Sequence, residues 1–227
     1  MNDEMNFKCQ EARNVPVILM LDTSGSMSAN GNIDVLNAAV KEMLDDFAKQ
    51  SDNNVSIKVA IYTFGPDVKE YLPLSTADEA KAKFQPMNAN GGTPLGGALS
   101  MAKTNLIENK ELITSRSYRP MVVLVSDGMP NDNWEPVFEE FCESGRSSKC
   151  FRMAMGIGAQ KETPAYAMLT RFVSDPKYVF SAEDAVTIKK FFKFVTISTI
   201  KRSTSATPNN MVVSTIEEVD DIDDLSF

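Results

Sequence analysis

The stretch VPVILMLDTSGSMSANG, residues 15–31, joins a run of apolar residues to a turn rich in oxygen-bearing side chains. A nearly continuous apolar run is typical of a strand that is buried on both faces of a parallel sheet. The run ends at Asp22, and Gly25 lets the backbone bend while Ser24 and Ser26 alternate along the turn. The oxygens of these side chains can therefore converge on one point, and oxygen is the ligand that hard divalent cations prefer.

A second apolar run, MVVLVSDG at residues 121–128, repeats this design and ends on Asp127 before a glycine turn. Between the two runs lies a glycine-rich loop, NANGGTPLGG at 88–97, whose glycines let the backbone around Thr93 approach a ligand closely. The predicted ligands are two carboxylates and three hydroxyls, which suit Mg²⁺, with Mn²⁺ or Ca²⁺ as alternatives. The two carboxylates balance the charge of a divalent ion only in formal terms, and the neutral hydroxyls donate weakly. We therefore expect the ion to take one more carboxylate from a partner protein.

Strand-like and helix-like segments alternate along most of the chain. This alternation predicts an α/β fold: a three-layer, Rossmann-like domain with a mostly parallel central sheet, one antiparallel edge strand and helices on both faces. Such open sheets bind ligands beyond the carboxyl ends of their strands, where the strand order reverses, and Asp22 and Asp127 fall at such ends. The strand segments are 15–21, 55–64, 68–74, 121–128 with its turn, 150–158 and 178–180, and the helix segments are 32–49, 78–84, 95–107, 134–142, 165–172 and 183–200.

The composition of the chain argues against several classes of function. Its 227 residues include 23 basic and 31 acidic side chains, which give a net charge of -8. Such a chain repels a phosphate backbone and an anionic bilayer, so neither nucleic acid nor a membrane surface is an expected partner. The chain contains no histidine, which removes imidazole as a catalytic base or zinc ligand.

The length and the pattern of charge predict one domain, residues 14–200, between a polar leader at 1–13 and a flexible acidic tail at 201–227. The leader carries acids where a signal peptide needs a basic flank, and no apolar run approaches the roughly 20 residues of a spanning helix. Three cysteines without CxxC spacing indicate ordinary reduced thiols. Together these features predict a cytoplasmic protein.

The acidic tail suggests a further hypothesis. Ser214 and Thr215 stand directly before the acidic run IEEVDDIDD, so either is a candidate phosphorylation site that another protein module would recognise. The alternative is that the tail is only a solubilising acidic terminus.

The predicted ligands match a known pattern. DTSGS (Asp22, Ser24, Ser26), Thr93 in GGTPLGG and Asp127 in SDG resemble the metal-ion-dependent adhesion site (MIDAS) of the von Willebrand factor A (VWA) domain family, whose pattern is DxSxS, a distant Thr and a distant Asp. The resemblance covers about residues 14–200. It implies that these five residues bind the metal, Asp127 directly or through water, and that the domain mediates metal-dependent protein–protein interaction.

Within that family, the stretches VPVILMLDTSGSM, GGTPLGGAL and VLVSDGMPND look most similar to the bacterial TerY-like subgroup associated with tellurite-resistance and stress loci. This closer resemblance implies an adaptor or regulator that is not an enzyme. Its implied partners are a protein kinase and a PP2C-type (metal-dependent) protein phosphatase.

The main alternative function is a metal-dependent hydrolase or phosphoesterase, in which the same ion activates a water molecule. That reaction needs a base, and Asp132 and Glu135 are nearby acids whose spacing does not select them. A dinucleotide site at MGIGAQK, residues 155–161, is disfavoured because Lys161 stands at the third glycine position. For the binding function, Asp22→Ala is expected to abolish metal binding at little cost in stability, because a ligand loop is expected to be exposed.

Overall fold

A computed structural model of the protein describes residues 13–50, 55–205 and 209. Strands and helices alternate along these ranges, and all but two of the predicted segments lie within two residues of an observed element. The strands are β1 (Arg13–Asp22), β2 (Val55–Phe64), β3 (Val68–Thr76), β4 (Met121–Ser126), β5 (Phe151–Ile157) and β6 (Val179–Ala182). The helices are α1 (Asn32–Lys49), α2 (Ala77–Lys83), α3 (Leu95–Ala102), α4 (Glu135–Glu143), α5 (Pro164–Phe172) and α6 (Ala185–Thr204).

The strands form one sheet in the order β3-β2-β1-β4-β5-β6. Neighbouring strands run parallel except β2 and β3, whose antiparallel pairing places β3 at the edge. A short turn, residues 65–67, suffices to connect that pair, whereas parallel neighbours need a longer crossover. The predicted three-layer α/β fold with one antiparallel edge strand is confirmed.

The strand order reverses at β1. The chain moves outward from β1 to β2 and β3, and then crosses back so that β4 pairs with the other side of β1. Leu21 lies opposite Val125 in this pairing, so the residues that follow, Asp22 and Ser126, leave the sheet side by side. The carboxyl ends of β1 and β4 therefore form the switch point at which open α/β sheets bind ligands.

The core explains why the apolar runs of β1 and β4 are continuous. β4 is buried along its whole length, and β1 is buried from Val15 to its end, because helices cover both faces of the sheet. Helices α1 and α6 pack together in one layer. In the other layer, Phe138 and Phe141 of α4 pack their rings against Phe172 of α5. Each large buried side chain of this kind contributes roughly 1.5–3 kcal/mol.

Two helices differ from their predicted extents. The segment predicted as one helix over 95–107 is α-helical only to Ala102 and continues as a π-helical turn, Lys103–Ile107. Helix α6 continues past the predicted domain boundary at residue 200, because Arg202 is buried and its guanidinium donates to the Arg119 carbonyl at 2.8 Å. The shift in composition at Lys201 therefore falls inside the last helix.

The ends of the chain are described only in part. Strand β1 begins at Arg13, the last residue of the predicted leader. Residues 1–12 lie outside the described residues, as do Ser214, Thr215 and most of the predicted tail. Within the described ranges, none of the helices has the length and apolar character needed to cross a membrane.

Asn37 is a buried polar residue of α1 that fixes a loop leading to the switch point. Its amide nitrogen donates to the Met87 carbonyl at 2.9 Å, and its side-chain oxygen accepts the Met87 N–H at 2.8 Å. Met87 lies in the connection between α2 and α3, where the backbone has no strand partner. The same connection carries Thr93, so Asn37 helps to position a predicted ligand.

Asn37→Ala is expected to lower the free energy of unfolding by about 2–4 kcal/mol, because two buried backbone groups lose their partners. Denaturant unfolding measures the change. Lys49→Ala is the control on the same helix, because it removes only an exposed ion pair with Asp46 and should leave the unfolding midpoint unchanged. An Asn37→Ala protein as stable as this control would contradict the assigned role.

Candidate metal centre

Asp22 ends β1 and is the most enclosed of the predicted ligands, with 0% of its surface exposed. Its Oδ1 accepts the Ser24 N–H at 2.8 Å, and its Oδ2 accepts the Ser126 hydroxyl at 2.6 Å. Because each carboxylate oxygen has two acceptor positions, both oxygens keep one position for a cation or a further donor. The expectation that the ligand loop is exposed is therefore wrong for Asp22.

Ser24, Ser26 and Asp127 continue outward from Asp22. The Ser24 and Ser26 hydroxyls lie 3.0 Å apart, and the Ser26 hydroxyl donates to Asp127 Oδ1 at 2.9 Å. Ser24 is buried, Asp127 is half-buried and Ser26 is exposed. Four of the five predicted ligands thus form one connected set that runs from a buried floor to the surface.

The turn that carries these serines is a short 3₁₀ segment, Gly25–Gly31, which Ser24 directly precedes. Met27 is buried and anchors it to the core, and the Met27 N–H donates to the Ser24 carbonyl at 3.1 Å. The Ser28 hydroxyl donates to the Gly25 carbonyl at 2.7 Å, so Ser28 stabilises the turn. These contacts fix the backbone on which Ser24 and Ser26 are displayed.

Asp22, Ser24, Ser26 and Asp127 lie at the carboxyl edge of the sheet, which we call the metal rim. Thr93 is held at the same rim by backbone contacts. The Gly25 N–H donates to the Gly91 carbonyl at 3.0 Å, which joins the Thr93 loop to the turn after β1. The Thr93 N–H donates to Asn131 Oδ1 at 2.9 Å, and the Asn131 N–H donates to the Thr93 carbonyl at 3.1 Å. Within the described residues the Thr93 hydroxyl makes no hydrogen bond to the other four predicted ligands, so this loop is held at the rim by its backbone.

Two carboxylates share this rim without a basic partner. Burial raises the pKa of Asp22 above its usual value, hydrogen bonds from Ser126 and Ser24 lower it in part, and the nearby charge of Asp127 raises it further. Burial also raises the pKa of Asp127, against the opposing effect of its bond from Ser26. Neither acid forms an ion pair with Lys or Arg among the described residues. A bound cation would offset the cost of holding both charges there.

The donor set fits a hard divalent cation, because every donor is an oxygen and two of the donors carry charge. Across the part of the chain that the structure describes, no group of three or more Cys, Asp or Glu side chains is placed to hold a metal ion. A cation at this rim would therefore depend on hydroxyls as well as on acids. The residues that would hold it are Asp22, Ser24, Ser26, Thr93 and Asp127.

Ser126 and Asn131 belong to the site, although the sequence analysis did not select them. Ser126 orients Asp22 by donating a hydrogen bond to its carboxylate, and Asn131 forms two hydrogen bonds with the backbone of Thr93. The signal that could have found them is the segment SDGMPND, a cluster of polar residues directly after a buried strand at the sheet edge.

Asp132 has a structural role at the same rim. Its Oδ1 accepts the Gly96 N–H at 3.2 Å and its Oδ2 accepts the Gly97 N–H at 2.9 Å. Both N–H groups lie in the first turn of α3, where backbone donors have no partner within the helix. The carboxylate of Asp132 therefore stabilises this end of the helix. Glu135 is exposed at the start of α4. The two acids considered as a catalytic base are therefore a helix cap and a solvated side chain.

A family model for the von Willebrand factor type A domain matches residues 17–194 of the chain. The chain belongs to this family. The match includes both acid-ending strands and the Thr93 loop, so the metal-centre residues lie within the VWA domain.

Other proteins resemble this VWA domain over parts of their length. A protein of Mycobacterium tuberculosis, uncharacterized protein Rv2850c, is 31% identical over 123 residues, which are 53% of this chain and 18% of that protein. Proximal thread matrix protein 1 of the mussel byssus, in a structure with a zinc-occupied MIDAS motif, has a TM-score of 0.61 and 20% identity over 82% of this chain and 45% of its own. The pilus adhesin SpaC of Lactobacillus rhamnosus GG has a TM-score of 0.67 and 16% identity over 85% of this chain and 31% of its own. The chain therefore spans less than half of each of these proteins, and the two solved structures show the shared fold.

Asp22→Asn and Asp22→Ala are expected to differ in stability without metal. The alanine variant leaves the Ser24 N–H and the Ser126 hydroxyl without their acceptor, which should cost about 1–3 kcal/mol. The asparagine variant keeps the shape, removes a buried charge and should be at least as stable as the parent at pH 7. Because the folded pKa of Asp22 is raised, the charge lowers stability above that pKa, and this cost disappears as the pH falls through it.

Chemical denaturation in chelator at several pH values measures both effects. The advantage of Asp22→Asn over the parent should shrink as the pH falls toward the usual Asp value. An asparagine variant less stable than the alanine variant at pH 7 would contradict the account.

Gly91→Ala is expected to weaken Mg²⁺ binding by about tenfold, which corresponds to ~1.4 kcal/mol. Gly91 has φ +75°, and a Cβ there would lie 2.4 Å from Pro66 Cα, so the loop must shift and lose its bond to Gly25. Gly128→Ala is the matched control at the same rim, because its Cβ would meet no atom within 4 Å. Calorimetric titration with MgCl₂ compares the two, and equal affinities would show that this loop does not contribute to the site.

Proposed function

We propose that this VWA domain is a metal-dependent protein-interaction module. The observation that carries the proposal is the pair of carboxylates at the switch point, which Ser24 and Ser26 link through one backbone N–H and two hydroxyls. Neither carboxylate pairs with a basic side chain among the described residues. This set supports a bound Mg²⁺, with Mn²⁺ or Ca²⁺ as alternatives. The mussel protein with zinc in its MIDAS motif supports a divalent metal at the matching residues here. The proposed ligands are Asp22, Ser24, Ser26, Thr93 and Asp127.

The ligand set also indicates the chemistry of the partner. When bound, the ion supplies positive charge and an open coordination position for an anionic oxygen. Ser24, Ser26 and Thr93 contribute neutral oxygens, so the two aspartates alone oppose its charge. An Asp or Glu side chain of a partner protein would complete the neutralisation and the coordination together.

The surface around the rim suits a protein partner. Met129, two residues after Asp127, is a large apolar side chain with 41% of its surface exposed. A cleft of about 280 Å³ opens on the other side of the turn after β1, and its walls include Thr23, Pro66, Lys69, Tyr71, Asn88 and Asn90. An apolar side chain and a cleft beside an acid-binding ion give a partner contacts on both sides of its carboxylate.

A more specific assignment belongs to the same proposal. The stretches DTSGSM, GGTPLGGAL and VSDGMPND support a TerY-like role in a bacterial stress or tellurite-resistance complex, with a protein kinase and a PP2C-type phosphatase as partners. That role rests on family analogy. We further propose a cytoplasmic location, which the free thiols of Cys142 and Cys150 support.

We propose that the domain binds without catalysing a reaction. The hydrolase alternative requires a base near the ion, and Asp132 already accepts two backbone N–H groups of α3. The chain contains no histidine to replace it.

Affinity purification from the native host, with Mg²⁺ or with chelator, tests this function. Partner proteins should be retained by the parent in Mg²⁺ and lost both in chelator and with Asp22→Asn. Parent protein produced in a heterologous host and purified without its partners should show no Mg²⁺-dependent hydrolysis of p-nitrophenyl phosphate, because a co-eluting phosphatase would hydrolyse this substrate itself. Partners retained equally in chelator would overturn metal-dependent binding, and hydrolysis lost in Asp22→Asn would favour the enzyme.

Met129→Glu is expected to weaken partner binding at least about tenfold, ~1.4 kcal/mol, because it places a like charge beside the incoming carboxylate and removes an apolar contact. Mg²⁺ binding should remain within about twofold of the parent. Leu112→Glu is the matched control: it is 46% exposed and lies in the connection before β4, at the opposite end of the sheet. Equal effects of the two substitutions on partner retention would show that the metal rim is not the interface.

A further inference from the structure

A second cleft, which we call the basal pocket, lies at the amino ends of β4 and β5, opposite the metal centre. Its volume is about 500 Å³. The segments before these strands form its walls, since Pro120 directly precedes β4 and Lys149 closely precedes β5. Its charged and polar lining includes Ser117, Arg119, Arg146, Lys149 and Asn209.

The basal pocket is basic in a chain whose net charge is -8. Arg119 and Lys149 are exposed, and Arg146 directs its Nη2 to the Ile113 carbonyl at 2.6 Å. The other terminal nitrogen of Arg146, Nη1, is buried and has no hydrogen-bond partner among the described residues. None of these three cations forms an ion pair with an acid of the described ranges. Three cations without an acid partner among the described residues give the pocket a surface that favours an anionic ligand.

Nearby groups show the same excess of positive charge. The pKa of Arg202 is lowered to about 10, mainly because the side chain is buried and secondly because the positive charge of Arg119 is near it. Glu108 is the acid beside the pocket, and its Oε1 accepts the backbone N–H of Arg146 at 2.6 Å and that of Ser147 at 3.3 Å. Glu108 therefore accepts hydrogen bonds from the backbone and forms no ion pair with the guanidinium of Arg146 among the described residues.

The course of the chain identifies an occupant for this pocket. Asn209 lies at the pocket, where its Oδ1 accepts the Arg119 N–H at 3.0 Å. Eighteen residues follow it, with six acids and no Lys or Arg. Glu217 is eight residues beyond Asn209, a distance of up to about 28 Å when extended. The acids of this segment can therefore reach the pocket of the same chain.

We propose that the acidic segment 217–224 docks into the basal pocket of its own chain, with its carboxylates facing Arg119, Arg146 and Lys149. Tethering favours this partner, because a short linker gives the segment an effective concentration in the millimolar range. The docked segment competes with free anions for the pocket. It also lies at the far end of the sheet from the metal centre, so its carboxylates leave that centre free for another protein.

Amide NMR spectra of the full chain test this inference. The comparison is between the parent and a neutral-tail variant that has Glu217→Gln, Glu218→Gln, Asp220→Asn, Asp221→Asn, Asp223→Asn and Asp224→Asn. We expect shifts of the pocket amides, such as those of Arg119 and Lys149, and none at Gly91 or Gly128 of the metal rim. About 0.5 M NaCl should move the parent's pocket signals toward those of the variant, because salt screens exposed charge pairs. Unchanged pocket signals in both experiments would overturn the proposal.

A charge exchange separates docking from a general effect of the tail. Arg119→Glu with Lys149→Glu should release the segment without unfolding the domain, because the hydrogen bonds of these two residues use their backbone atoms. Adding Glu217→Lys and Glu218→Lys should restore protection of the segment against amide exchange. Failure of this restoration, with both variants folded, would contradict direct pairing.

Inorganic phosphate and protein concentration provide the remaining readouts. Phosphate should shift the pocket amides of the neutral-tail variant at a concentration at least about fivefold lower than it needs in the parent, because the docked segment competes with it. Equal phosphate affinities would show that the parent's pocket is open. The parent's signals should not change over a tenfold range of protein concentration, whereas a concentration-dependent change would assign the contact to a second copy of the chain.

Discussion

The structure of the functional rim depends on one buried carboxylate. Asp22 is 0% exposed at the end of a central strand, and it is held by one backbone N–H and one hydroxyl. Those bonds come from Ser24 in the turn after β1 and from Ser126 at the end of β4, so the acid ties these two parts of the chain together. Burying a charge without a cation is costly, and the raised pKa values of Asp22 and Asp127 express that cost. A site assembled in this way is predisposed to take up a cation.

Much of this architecture could be predicted because its cause is local in the sequence. Strands buried on both faces need continuous apolar runs, and an acid at the end of such a run marks the sheet edge, as Asp22 and Asp127 do. The distribution of burial could not be predicted so well. The buried Asp22 accepts a hydrogen bond from Ser126, which lies 104 residues away, and hydrophobic periodicity does not predict a contact over that separation. The last helix extends beyond its predicted end at residue 200 for a similar reason, because Arg202 is polar by composition but is buried and contacts Arg119.

The two ends of the sheet have opposite electrostatic character. The carboxyl ends of the central strands carry two acids that form no ion pair within the described ranges, and the amino ends carry the cations of the basal pocket. The first end is suited to a cation, and the second is suited to the anionic segment that is proposed to dock there. Because the sheet separates them, a protein bound at the metal need not displace a segment docked at the base.

The central claim is that five oxygen donors from three loops surround one cation. Anomalous diffraction from crystals soaked in Mn²⁺ tests it most directly, because the signal locates the metal independently of the protein atoms. The account predicts one strong peak at the switch point, about 2.0–2.6 Å from several of the donor oxygens. The account would be contradicted by a map that has no peak there although the relevant side chains are ordered and point away from a common site. These side chains are Ser24, Ser26, Thr93 and Asp127.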